Sequence, residues 1–130
     1  MISRMAALAS FALSSSALAC SMPTDAIQLT STLDSAPLAY AQIDKLPLSA
    51  PFTMTVTFCN PAQEVEALMF DAVMPAHRHG MNFSVDVTGI AANRFDVSNV
   101  VFHMQGLWEL RIDVEVDGQA YAYTAEVLLE

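Results

Sequence analysis

The sequence predicts an all-β fold, and three observations carry that expectation. Residues 52–59 alternate strictly, Phe52, Met54, Val56 and Phe58 being interleaved with Thr53, Thr55, Thr57 and Cys59. Residues 108–117 alternate as well, setting Trp108, Leu110, Ile112, Val114 and Val116 against Glu109, Arg111, Asp113, Glu115 and Asp117. Successive side chains of a strand point to opposite faces, so each run gathers its large apolar residues on one buried side. The third observation is Asp117-Gly118, a two-residue hairpin signal, after which 119–129 returns with Tyr121, Tyr123, Ala125 and Val127 on one face.

Further short strands are predicted at 38–43, 64–73, 82–88, 94–97 and 100–104, each bounded by turn residues. Helical periodicity is weak beyond the first twenty residues. About seven strands in one domain over 37–130 correspond to an immunoglobulin-like antiparallel β-sandwich. The stretch 20–36 mixes Ser, Thr, Asp and Pro without period and reads as a flexible N-terminal arm.

The first nineteen residues have a different character. Arg4 precedes an almost uncharged stretch that ends in Ala17-Leu18-Ala19. A charged start, an apolar middle too short to span a bilayer and an A-x-A end make 1–19 a secretory signal peptide cleaved before Cys20. The expected location is therefore the periplasm or cell envelope, with no transmembrane helix in the mature chain.

Loss of 1–19 leaves Lys45, Arg78, Arg94 and Arg111 against 14 acidic residues. Such a balance excludes nucleic acid as a partner and disfavours an anionic membrane face. Cys20 and Cys59 are the two cysteines. In an oxidising compartment an even count predicts a disulfide; the alternative is lipidation of Cys20 as the first mature residue, with Cys59 left as a free thiol.

Chemistry-bearing residues concentrate in two segments. Met74-Pro75-Ala76-His77-Arg78-His79-Gly80-Met81 is followed by Phe102-His103-Met104-Gln105-Gly106-Leu107-Trp108, and all three histidines lie in them. Pro75 and Gly80 punctuate a turn, and in an extended loop His77 and His79 project to the same side. Imidazole binds several transition metals, whereas thioether sulfur favours Cu(I), so His77, His79 and His103 with Met74, Met81 and Met104 point to copper. A plainer assignment stands beside this one: methionines that fill core gaps and a His103 buried against a backbone carbonyl.

The same two segments, M-P-x-H-x-H-G-M and F-H-M-x-G-x-W-E-L, resemble the YtkA-like domain family of exported bacterial proteins, related to FixH-like oxidase assembly factors. The resemblance covers roughly residues 47–116 and falls on Met74, Pro75, His77, His79, Gly80, Met81, Phe102, His103, Met104, Gly106 and Trp108. It implies an immunoglobulin-like sandwich in the envelope with links to copper handling or respiratory oxidase assembly. Arg78 stands where the family often carries Gly, and Gln105 where Pro is frequent. A fixed positive charge at Arg78 disfavours cation binding by the imidazoles beside it.

No serine nucleophile elbow, phosphate loop or HExxH occurs, and Cys59 has no basic neighbour in sequence to lower its pKa. The expectation is a carrier or assembly accessory, with a copper ion or an envelope metalloprotein as partner, and not an enzyme. The alternative is an interaction module that binds another envelope protein without metal, its His and Met residues merely packing a turn.

Overall fold

The structure, a computed structural model, describes residues 20–59 and 64–130. The predicted signal peptide lies outside the described residues. Nine strands and no helix occur among those described: β1 (Ile27–Ser31), β2 (Ala39–Ile43), β3 (Phe52–Phe58), β4 (Val65–Met74), β5 (His79–Gly80), β6 (Asp86–Ala91), β7 (Arg94–Val100), β8 (Gly106–Val116) and β9 (Gln119–Leu129). The fold is all-β, as its alternating runs require.

Every strand pair is antiparallel, in the order β5-β4-β8-β9-β1-β2-β3-β7-β6. The order curls because β1 belongs to both halves. Its Ile27, Gln28 and Leu29 pair with β2, while Thr30 and Ser31 pair with β9. The result is a sandwich joined along one side, in the manner of a half-barrel. On the other side the buried amide of Val65 donates to the Asn93 side chain at 3.0 Å, tying the start of β4 to the β6–β7 turn.

The core is filled by the faces that alternation selects. Met54 and Val56 of β3 meet Trp108, Leu110, Ile112 and Val116 of β8, all within 1% of complete burial. The Asp117-Gly118 turn has both residues at positive φ, 49° and 74°. That geometry matches the right-handed twist of the flanking strands and keeps β8 and β9 in unbroken register from Gly106↔Leu129 to Val116↔Gln119.

Four sequence expectations are corrected. The strand count among the described residues is nine, not about seven, because β1 and the two-residue β5 lacked an alternating run long enough to register. The 20–36 arm is not loose throughout, since β1 lies inside it and Leu29 is buried. The strands expected at 94–97 and 100–104 are replaced by one, β7, which ends at Val100: Met54↔Val97 is followed by Phe52↔Val100, so Ser98 and Asn99 form a bulge, with Asn99 at φ 59°, and 101–105 is a loop, not a strand. The strand expected at 82–88 starts later, at Asp86, because the Ala92-Asn93 turn sets its register against β7.

Cys20 and Cys59 form a disulfide with Cα atoms 5.4 Å apart, which occupies the sulfur that lipidation would need. It fastens the chain ahead of β1 to the end of β3. A second tether comes from Tyr123, whose buried hydroxyl donates to the Pro37 carbonyl at 2.6 Å. Burial, with a smaller contribution from Tyr121, pushes the Tyr123 phenol up to about 12.

Two measurements test these tethers. The Cys20→Ala/Cys59→Ala variant should lose about 3 to 4 kcal/mol in urea denaturation, the chain-entropy value for a cross-link of this span; an unchanged midpoint contradicts it. For Tyr123 the native phenol ionises later than the unfolded one, so native protein holds more protons between pH 10 and about 12. Stability should be intact below pH 10 and fall as pH rises through that window. Tyr123→Phe should flatten the fall and cost about 1 to 3 kcal/mol at neutral pH, because the Pro37 carbonyl loses its donor.

Candidate functional site

The first motif segment is the β4–β5 hairpin. β4 runs through Met74, turns through 75–78, and returns as His79 and Gly80, which pair with Met74 and Val73. Inside the turn the His77 amide donates to the Met74 carbonyl at 3.2 Å. Arg78 then takes φ 52°, the left-handed region that L side chains other than Asn and Asp rarely adopt. A glycine at this position would relieve backbone strain as well as charge.

The second segment is the loop from β7 to β8. Phe102 forms an isolated parallel bridge with Leu48, and its carbonyl accepts from the Ser49 amide at 2.9 Å. Its ring is completely buried and stacks on Trp108, centroids 4.5 Å apart and planes within 6°. Phe52 meets the Phe102 ring edge-on at 5.3 Å. The indole N–H of Trp108 donates to the Met104 carbonyl at 3.0 Å, which closes the loop carrying His103.

These two segments meet. The His79 ring lies 6.5 Å from that of His77 and 6.3 Å from that of His103, centroid to centroid. His103 also packs against Trp108 at 5.6 Å, its plane 75° from the indole. Its Nδ1 is buried and has no hydrogen-bond partner among the described residues, where the plainer assignment expects a bond to a backbone carbonyl. His77 and His79 are exposed, and His103 is half-buried.

Two imidazoles on one ion, with metal–nitrogen bonds of about 2 Å, hold their centroids roughly 5 to 6 Å apart. The observed spacing is slightly wider. Among the described residues no group of three His, Cys, Asp or Glu side chains closes round one point as the side chains stand. Rotation of the exposed His77 and His79 is the movement such closure needs.

The methionines divide. Met74 is 1% exposed and belongs to the core, whereas Met81 and Met104 are partly buried and pack on its margin. Gly106 has φ +129°, and a Cβ there would fall 2.8 Å from the Met74 methyl. Pro75 is exposed at the head of the turn. Sequence reasoning found the histidines but not the brace under them, because the Leu48–Phe102 bridge joins distant segments that carry no shared pattern.

The chain matches no family model, no curated protein and no solved structure.

Gly106→Ala should destabilise the domain by about 1 to 3 kcal/mol, since its backbone conformation excludes a side chain whatever the space. The neighbouring methyl is the free end of a flexible side chain and can retreat. A double-mutant cycle with Met74→Leu should therefore show coupling under about 0.5 kcal/mol. Full rescue by Met74→Leu contradicts the backbone explanation.

Proposed function

We propose that the chain is an exported protein of the YtkA-like type that binds copper in the cell envelope and carries it, or assists oxidase assembly, without catalysing a reaction. The single observation that carries this reading is the meeting of His77, His79 and His103 from two separate segments, with a buried, unpartnered Nδ1 on the third. Met81 lies two residues beyond His79, and Met104 directly follows His103. Both are soft donors at the core margin and suit Cu(I). Met74 supports the hairpin from below.

Exposed ligands on a turn favour a carrier, because a partner's donors can reach the ion and exchange for them. Export is supported by the layout of residues 1–19 and by the disulfide, a bond that persists in oxidising compartments. A second reading, docking on an envelope protein without metal, is favoured by Leu48 and Phe83, which are 47% and 61% exposed.

Competitive titration of the purified protein with a Cu(I) chelator separates the two. His77→Ala/His79→Ala should weaken Cu(I) by more than about a hundredfold, and His103→Ala by at least about tenfold. Replacing Met81 and Met104 by Leu should weaken Cu(I) much more than Cu(II). Arg78→Gly should tighten binding roughly twofold to tenfold, by removing a screened like charge. Equal and weak binding by wild type and the double-histidine variant removes copper and leaves the docking reading.

A further inference from the structure

The end of the sheet away from the histidine hairpin is β6, whose outer edge hydrogen-bonds to no strand among the described residues, the start of β4 approaching only its last residues. All six of its residues are exposed. An unpaired row of N–H and C=O groups is a template for another strand, and edge strands are ordinarily guarded by charge, proline or brevity. This one carries a single charged residue, Asp86, and no proline. Val87 and Ile90 remain 38% and 47% exposed along it.

We infer that β6 pairs antiparallel with β6 of a second copy of this chain, across a two-fold axis at Thr88. Charge selects this occupant. Asp86 pairs with Ser98 at one end of the β6–β7 hairpin, and Arg94 pairs with Ala91 at the other. Among the described residues Arg94 makes no ion pair. An antiparallel two-fold sets Asp86 of each copy opposite the Ile90–Ala91 bulge of the other, two strand spacings or roughly 10 Å from that copy's Arg94. Extended arginine and aspartate side chains span this distance, and symmetry forms the pair twice.

Shape agrees with charge. Pairing about Thr88 sets Val87 of each copy over Gly89 of the other, where the absent side chain leaves the Phe95 ring open, 3.8 Å from the nearest Cβ position. Thr88 faces its own copy, a favourable cross-strand pair. Asp86 is held in place by the Asn99 side-chain amide, which donates to it. The interface is isologous, so it closes at two chains and does not grow into a fibre.

Sedimentation velocity over micromolar to millimolar concentrations tests the inference on the purified protein, with thermal unfolding of each variant at low concentration as the check on folding. Wild type should show a concentration-dependent monomer–dimer equilibrium. Thr88→Glu adds one carboxylate per copy at the axis, beside Asp96 on β7, and should leave only monomer. Asp86→Lys and Arg94→Glu should each weaken the dimer about tenfold, and the two together should restore it to within about threefold. A wild-type monomer throughout the range overturns the inference and leaves this edge to a strand from a different protein. A dimer indifferent to Thr88→Glu, or a charge swap without rescue, overturns it as well.

Discussion

The histidine end of the molecule depends on how the Trp108 indole is held. Its plane is covered by Phe102, its N–H is committed to the Met104 carbonyl, and the rest of β8 behind it is locked to β9 in continuous register. A buried aromatic stack is worth about 0.5 to 1.5 kcal/mol beyond its area. Here the stack also fixes geometry, because Phe102 and Met104 flank His103 in sequence. The loop that presents His103 is thus built on the most deeply buried rings of the core, while His77 and His79 ride on a hairpin held by two strand pairs, by the buried Met74 and by Met81 at the core margin. One side of the site is packed into the core and the other is exposed.

Electrostatics distribute in a complementary way. On β8 and β9 Glu109 lies directly across from Glu126, a like-charge pair that Arg111 relieves by donating to Glu109 at 2.7 Å. Both partners are partly exposed, so the bond contributes little to stability and mainly keeps two carboxylates from repelling across the ladder. Arg78 and Arg94, two of the few remaining cations, stand toward opposite ends of the sheet order, on the β4–β5 turn and at the start of β7, next to the last strand. The excess of acid over base makes the position of each arginine consequential.

Strands with regular alternation and a distinct turn were legible in the sequence. β3, β8 and β9 follow from Phe52, Trp108 and Tyr121 and the residues spaced two apart after them, and the Asp117-Gly118 turn names its own geometry. β1 was not legible, because its five residues carry only Ile27 and Leu29 as large apolar side chains and pair partly with β2 and partly with β9. The bulge at Ser98 and Asn99 imitated a break, since polar residues at a bulge resemble those of a turn. At the site, residue chemistry drew attention to His77, His79 and His103, while their proximity depends on a bridge between Leu48 and Phe102 that no local pattern announces. The methionines looked alike in sequence; only packing separates Met74 from Met81 and Met104.

Cysteine chemistry narrows what a soft ion could use here. With Cys20 and Cys59 joined, no thiolate is available among the described residues, and thioether is the remaining soft sulfur. Thioethers are neutral, so a Met and His site adds no negative charge of its own and leaves the ion's charge uncompensated at close range. Arg78 then acts against binding at short distance, while the carboxylates of the β8–β9 face act for it at long distance, where salt screens them. In the proposed role such a balance gives a site that releases its ion as readily as it takes it. The difference in burial acts in the same direction, because His103 is half-buried against Trp108 while His77 and His79 are exposed on the turn. A carrier needs that asymmetry, with one ligand held by the core and two on a turn able to let go.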